Sequence, residues 1–273
     1  MIRAVVSRYS LAIIGGGRMG EAIAAGLVSS GMLEPASIAV VEPAEARRAV
    51  FERHGMHVAA DGHEVVIAAE TVLFAVKPQV IDAVVAHYAD DITPETLVVS
   101  IAAGITTARL EALLGPGIPV VRVMPNTPAM VGEGMAVVSG GRSAIPAHVE
   151  RVLALFEAVG ESTVLAEPLQ DAATAISGSG PAYVALFVDA LADAGVAQGL
   201  DRATAEHLAV QTFRGTAALL ETSGMSPAEL VAGVSSPGGT TVAALQVLDE
   251  GGMRRIIADA VEAAVRRAKE LGS

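Results

Sequence analysis

Short apolar runs alternate with helix-length stretches through the first half of the chain. Residues 11–14 form an apolar run of strand length that leads straight into Gly15-Gly16-Gly17. Residues 21–30 follow with Ala22, Ile23, Ala25, Gly26 and Leu27 in the pattern of a buried helix, and Gly31 ends it. The alternation continues, with strands predicted over 37–41, 56–59, 71–76, 97–101 and 120–124 and helices over 44–53, 80–88 and 107–114. Strands separated by helices of this length specify βαβ units and a parallel sheet. Residues 135–139 add a further strand, 146–159 a helix with Pro146 in its first turn, and 162–166 a last strand.

The pattern then changes. Residues 171–177, 181–198, 202–222, 227–234, 242–248 and 253–271 read as helices, with no convincing strand among them. Ser226-Pro227-Ala228-Glu229 is a capping box with Pro at the first helical position, and Asp201 is an N-cap. The helix over 181–198 is apolar nearly all round, through Tyr183, Val184, Leu186, Phe187, Leu191 and Val196. A helix without a polar face is covered on several sides, which a small helical domain does poorly alone. The expected architecture is an α/β domain over 1–165, with a doubly wound, mostly parallel sheet, followed by an all-α dimerisation domain over 166–273.

Composition narrows the choice. With 52% hydrophobic and 18% charged residues, the 273-residue chain is too apolar for disorder. Its net charge of −12 argues against binding nucleic acid. The absence of Cys removes disulfides, thiolate metal sites and thiol nucleophiles. No apolar run approaches the roughly 18 residues that span a bilayer; the longest, 65–76, is broken by Glu70 and Thr71. A soluble cytoplasmic protein without a membrane partner is expected. The first ten residues read as a preface to the fold, as an upstream start codon would produce.

Gly15-Gly16-Gly17-Arg18-Met19-Gly20 is G-x-G-x-x-G between a strand and a helix. Alone it is weak in a chain of 28 glycines, but in this context it points to a dinucleotide site. Gly15 allows the turn, Gly17 lets a diphosphate approach the backbone, and Gly20 lets helix and strand pack closely. Glu42 stands 22 residues past Gly20, where a carboxylate accepts ribose hydroxyls and repels a 2′-phosphate. That favours NADH over NADPH, although Arg47 and Arg48 follow within reach of a 2′-phosphate. Ala75-Val76-Lys77-Pro78 ends another strand on the ligand-binding edge. Lys77 is one of only two Lys among 18 basic residues, so either a compact ammonium is needed there or it is a chance Lys. Ala102 and Ala103 close the next strand with small residues, and Asn126, between Pro125 and Thr127-Pro128, marks either a rigid turn or a cofactor contact. Ser177-Gly178-Ser179-Gly180 interrupts the helical half for packing or for a ligand. In Ser235-Ser236-Pro237-Gly238-Gly239-Thr240-Thr241 a Gly-Gly turn opens a helix. It offers amides and hydroxyls suited to a small carboxylate, or serves only as a capping loop. His54, His57, His63, His87, His148 and His207 form no metal-spaced set, no metal is expected, and the Met residues read as core filler.

These motifs, with Val123-Met124-Pro125-Asn126-Thr127-Pro128 and Pro227…Leu230…Val234 running into the Gly-Gly-Thr-Thr turn, resemble pyrroline-5-carboxylate reductase from Leu11 to about Leu271. The resemblance implies a Rossmann domain, a helical domain interlocked with a second subunit, and dimers often gathered into decamers. It implies an active site between one subunit's Rossmann domain and the dimer's helices. It implies reduction of (S)-1-pyrroline-5-carboxylate to L-proline by NAD(P)H, the last step of proline biosynthesis. Arg18, Met19, Ala75, Val76, Pro78, Ala102, Ala103 and Asn126 then join Gly15, Gly17, Gly20, Glu42 and Lys77 at the cofactor. Ser236, Gly238, Gly239, Thr240 and Thr241 hold the substrate, with the amides of Gly238, Gly239 and Thr240 on its carboxylate and Thr241 as the catalytic hydroxyl at its ring nitrogen. Glu42-Pro43 departs from the residues usual in members that prefer NADPH. The competing readings are a reductase of another cyclic imine, a β-hydroxyacid enzyme, for which Lys269 is a poor catalytic lysine, and a nucleotide-binding paralogue without turnover.

Overall fold

A computed structural model describes residues 8–272. The chain enters the fold at Arg8 rather than at Leu11. The amides of Arg8 and Tyr9 donate to the Ala68 carbonyl, Tyr9 bridges Ala69 in parallel register, and its side chain is buried. The expected ten-residue preface is therefore too long by Arg8, Tyr9 and Ser10; the rest of it lies outside the described residues.

The chain runs β1 (Leu11–Ile14), α1 (Arg18–Ser29), β2 (Ile38–Val41), α2 (Glu45–Glu52), β3 (His57–Ala59), α3 (His63–Ile67), β4 (Thr71–Phe74), α4 (Ile81–Tyr88), β5 (Leu97–Ser100), α5 (Thr107–Leu114), β6 (Val120–Met124), β7 (Gly134–Gly140), α6 (Pro146–Glu157) and β8 (Gly160–Val164). The eight strands form one sheet in the order β3-β2-β1-β4-β5-β6-β7-β8. All neighbours are parallel except β6 and β7. Only a single-turn 3-10 segment, Thr127–Val131, separates β6 from β7, too little chain for a crossover, so the pair is antiparallel. α6 supplies a crossover between β7 and β8, which run parallel.

Strand side chains alternate between two apolar layers. Ala12, Ile14, Val72 and Phe74 pack with Ile81 and Val85 of α4 and Leu110 of α5. Leu11, Ile13, Leu73 and Val99 pack with Ile23 and Leu27 of α1 and with Val152 and Phe156 of α6. Burial on both faces explains why these strands read as continuous apolar runs.

The helices that follow are α7 (Gln170–Ala173), α8 (Gly180–Ala197), α9 (Arg202–Ser223), α10 (Pro227–Gly233), α11 (Thr240–Glu250) and α12 (Met253–Gly272). A π-turn, Thr174–Gly178, stands between α7 and α8, where the sequence predicted a kinked small-residue segment. Two compact units result: one runs to Ser179 and includes Ala264 onward, and the other is Gly180–Ala263. Within the second, α8 packs on α9, the rings of Phe187 and Phe213 lie 6.5 Å apart, and Arg202 joins Asp189, Asp193 and Glu206. Asp201 and Ser226 cap α9 and α10 as expected.

Two compositional expectations need correction. The helical stretch Glu167–Ala197 is long and apolar enough to cross a membrane by length and composition. The search for one run missed it because the charge-free interval between Asp171 and Asp189 is built of small and hydroxylated residues as well as large apolar ones. Met32, Met130 and Met225 are exposed, so not every Met fills the core.

Candidate active site

The glycine loop turns between the buried β1 and the start of α1. Gly15 adopts φ +108°, and a Cβ on it would stand 2.7 Å from the Ala75 carbonyl oxygen, so both conformation and space require glycine. A Cβ on Gly20 would meet the Gly15 carbonyl oxygen at 2.6 Å, whereas one on Gly17 would meet nothing within 4 Å. The third glycine thus serves packing, and the second faces open space. The first intrahelical bond of α1 runs from the Glu21 amide to the Gly17 carbonyl. The amides of Arg18, Met19 and Gly20 precede it and point out of the helix start, where an anion is stabilised.

The end of β2 clamps this loop. Glu42 accepts from the Gly16 amide at 2.8 Å with one carboxylate oxygen and from the Ala44 amide at 2.9 Å with the other. Each oxygen keeps a lone pair for a further donor. Arg47 donates to the Gly16 carbonyl at 2.8 Å and pairs with Glu21 at 2.6 Å. Arg48 donates to the carbonyls of Glu42 and Pro43. Both arginines are therefore engaged with protein groups beside the one carboxylate.

A cavity of about 690 Å³ opens at the carboxyl ends of β1, β2 and β4, where the strand order reverses. Of the predicted residues, Gly15, Gly17, Glu42, Ala75, Val76 and Lys77 line it. Arg18, Met19, Gly20 and Pro78 flank these in sequence without lining it. Ala102 is buried in the apolar layer with Ile105, and Ala103 does not line the cavity either. Asn126 donates to the Ser177 carbonyl at 3.0 Å and accepts from the Met135 amide at 2.8 Å, so its side chain ties the end of β6 to the π-turn.

The sequence reading missed Asp61, His87 and Tyr88, which also line the cavity. Their signal was positional: Asp61 follows β3 on the ligand-binding edge, and α4 follows the Lys77 loop. Tyr88 and the Gly62 amide both donate to Asp61 Oδ1, and His87 Nε2 lies 3.3 Å from it. The His87 contact, and after it the Gly62 amide, hold the Asp61 carboxyl below its usual range. Burial, and then the hydrogen bond to Asp61, push the Tyr88 hydroxyl up to about 12. The histidines form no metal-spaced set along the sequence, yet ligand atoms of Asp61, His63 and His87 lie within 4.8 Å of one another in the fold. Asp61 and His63 come from the β3–α3 connection and His87 from the last turn of α4, so local spacing could not disclose it.

In the second compact unit, α10 ends and Ser236 accepts from the Gly239 amide at 2.9 Å in a tight turn. Gly238 takes φ +71°, and a Cβ on Gly239 would stand 2.5 Å from Ser236 Oγ. Thr240 and Thr241 are the first two residues of α11, whose first bond runs from the Ala243 amide to the Gly239 carbonyl. The Gly239 amide is thus engaged within the turn. The amides of Gly238, Thr240 and Thr241 have no partner among the described residues. Of the amides expected to hold a carboxylate, those of Gly238 and Thr240 are open and that of Gly239 is taken by the turn. Ser235 Oγ is buried without a partner in the same turn.

Comparison with known proteins bears on both regions. Residues 167–271 match the family described as pyrroline-5-carboxylate reductase dimerisation, and residues 10–104 match that described as NADP oxidoreductase coenzyme F420-dependent. The chain is 45% identical to a pyrroline-5-carboxylate reductase of Synechocystis sp., over 96% of this chain and 98% of that one. Among solved structures, a pyrroline-5-carboxylate reductase from Coxiella burnetii superposes with a TM-score of 0.92 at 35% identity, covering 97% of this chain and 99% of that one. The Plasmodium falciparum pyrroline carboxylate reductase with NADP bound gives 0.88 at 30% identity, over 98% and 100%.

Proposed function

Because the chain belongs to the pyrroline-5-carboxylate reductase family, we propose that the two turns described above divide its reaction between them. The protein reduces (S)-1-pyrroline-5-carboxylate to L-proline, the last step of proline biosynthesis, as an NAD(P)-dependent oxidoreductase. The observation that carries this reading is the pair of open helix starts. One opens on a cavity of dinucleotide scale, and the other has amides and hydroxyls beside Gly238, where a Cβ would meet nothing within 4 Å.

The residues fit a nicotinamide dinucleotide. Gly17 leaves space where a diphosphate would lie, the amides of Arg18, Met19 and Gly20 face it, and Lys77 lines the cavity. When bound, the reduced nicotinamide supplies the hydride for the imine carbon. Glu42 accepts the adenosine ribose hydroxyls with the lone pairs left by Gly16 and Ala44. Arg47 pairs with Glu21, and Arg48 is held on the carbonyls of Glu42 and Pro43, so both arginines that follow the carboxylate are engaged with protein groups. This supports NADH as the preferred donor over the NADPH usual in the family. Ala102, Ala103 and Asn126 act on the cofactor through the shape of the strand ends.

The amides of Gly238, Thr240 and Thr241 hold the substrate carboxylate, with Ser236 and Gly239 setting the turn. The Thr241 hydroxyl hydrogen-bonds the ring nitrogen, donating to a neutral imine or accepting from the N–H of a protonated one. An alcohol is too weak an acid to supply the proton itself, so Thr241 orients the ring, and solvent or a ring already protonated supplies the proton. The dinucleotide domain is taken as 1–165 and the helical domain as 166–273, supported by a dimerisation match over 167–271, whereas by compactness the residues through Ser179 and from Ala264 onward group with the sheet. Glu167–Ala197 is read as part of that region rather than as a span. The protein acts as a homodimer, gathered into a decamer, in the cytoplasm.

Initial rates with pyrroline-5-carboxylate test this, with NADH and NADPH in parallel and Glu42→Ala alongside. NADH should lead. The variant should lose about ten- to hundredfold in NADH kcat/KM, from one charged hydrogen-bond acceptor worth about 1.5–3 kcal/mol, and the gap should close. Faster turnover with NADPH overturns the Glu42 reading, and a protein that binds cofactor without turnover overturns the reaction.

A further inference from the structure

The rim of the cofactor cavity gathers side chains that hydride transfer does not use. Asp61 lies in the loop between β3 and α3, His63 is the first residue of α3, and His87 lies in the last turn of α4. One ligand atom from each falls within 4.8 Å of the others, and the two imidazoles lie 4.6 Å apart between centroids. All three residues are exposed, so a cation reaches them without opening the core.

Their surroundings orient them. His63 Nδ1 lies 2.5 Å from Asp91 Oδ2; in the neutral imidazole this carboxylate favours the tautomer with its proton on Nδ1, which leaves the Nε2 lone pair for a metal ion. A carboxylate on the far nitrogen of a ligating histidine is the usual support for a metal-bound imidazole. Asp61 Oδ1 is fixed by the Gly62 amide and the Tyr88 hydroxyl, while Oδ2 has no partner among the described residues. Only His87 must exchange its contact with Asp61 for the ion.

We propose that Asp61, His63 and His87 bind one divalent transition-metal ion of the zinc class, with Asp91 as the positioning residue for His63. Two imidazoles and one carboxylate select a late first-row ion over Mg²⁺ or Ca²⁺, which take oxygen ligands. Exposure leaves the fourth position to water. Asp61 and His87 also line the cavity beside Glu42 and Lys77. Drawing both onto an ion reshapes the wall at that end of the cavity, so the ion weakens cofactor binding.

The test is titration of the chelator-treated full chain with Zn²⁺, followed by calorimetry and by metal content after dialysis. One Zn²⁺ per chain is expected, with Mg²⁺ failing to compete. His63→Gln, an exposed substitution outside the cavity lining, should lower the affinity at least tenfold. Asp91→Asn should lower it about tenfold, the low end for loss of a ligand's supporting carboxylate. Zn²⁺ should weaken NADH binding, read by its fluorescence, in the unaltered protein and not in His63→Gln. Circular dichroism of each variant without metal checks that the helices persist. No binding, or Zn²⁺ binding that His63→Gln and His87→Gln leave unchanged, overturns the site. Binding that leaves NADH affinity unmoved overturns its effect on the cofactor.

Discussion

The two compact units are similarly apolar to read and opposite in how they pack. In the sheet unit the strand residues of β1, β2, β4 and β5 are all buried, and Phe51, Phe74 and Phe156 are covered completely. In Gly180–Ala263 the buried apolar residues are Ala192, Ala205 and Ala209, while Val184, Leu186, Leu191, Leu208, Val210, Val247 and Ile256 stand exposed. Leu186 is 68% exposed and Val247 67%. A single chain does not leave so many large side chains in water unless another surface covers them. The first unit closes its own core, and the second contributes half of one. The match of 167–271 to a dimerisation family is the counterpart of that exposure, and the chain self-associates through this region.

Breaking the comparison most sharply means placing a charge on the uncovered face. Leu186→Asp removes a side chain worth roughly 1.5–3 kcal/mol when buried. A two-fold interface counts it twice, so on the order of 3–6 kcal/mol is lost. The dissociation constant of the dimer should rise at least about a hundredfold. Sedimentation should show dissociation while NADH binding, which belongs to the sheet unit, persists. An unchanged assembly would remove this face from the interface. Thr241→Ala acts within the same unit on chemistry rather than assembly. Turnover should fall by one to three orders of magnitude, about 1–4 kcal/mol at about 1.4 per decade, with NADH affinity retained. Unchanged turnover would end the role of its hydroxyl.

The difference between the units also explains what was legible in the residues. The alternation of β1, β2, β4, β5 and β6 with α1, α2, α4 and α5 was readable because these strands are buried on both faces and these helices are bounded by Gly, Pro or a cap; the five-residue α3, which overlaps the apolar stretch 65–76, was not read. β7 was read as a strand, but its antiparallel direction was not; its short connection to β6 explains that direction once the sheet is seen. The loop glycines were readable because each answers a local demand, a positive φ at Gly15 or close packing at Gly20. What stayed hidden depends on tertiary neighbours. Asp61, His63, His87 and Asp91 meet only after the sheet stacks α3 beside α4. Asn126 was read as a turn or a cofactor contact, but its partners Ser177 and Met135 come from two later elements. α8 announced an uncovered face through its lack of polarity, yet periodicity alone could not say whether its own chain or a second one covers it.

The smallest prediction isolates what the helical unit does for itself, without a partner. Ser226 accepts from the Glu229 amide, and Glu229 accepts in return from the Ser226 amide at 2.8 Å and from its hydroxyl at 2.7 Å. Ser226→Ala should cost about 0.5–2 kcal/mol, as loss of an N-cap does. That is less than either change above and is read as a lower thermal midpoint at fixed protein concentration. The Ser226 amide, followed by its hydroxyl, holds the Glu229 carboxyl below its ordinary value of 4.5. A carboxyl depressed in the folded chain stabilises it fully above that ordinary value, and the contribution disappears as pH falls through the folded value. Glu229→Gln should therefore lower the midpoint at neutral pH, and its gap from the unaltered chain should narrow on acidification. No gap at any pH would mean that the reciprocal half of the box adds nothing. The first turn of α10 would then rest on its serine alone, and this unit would depend still more on the surface that covers it.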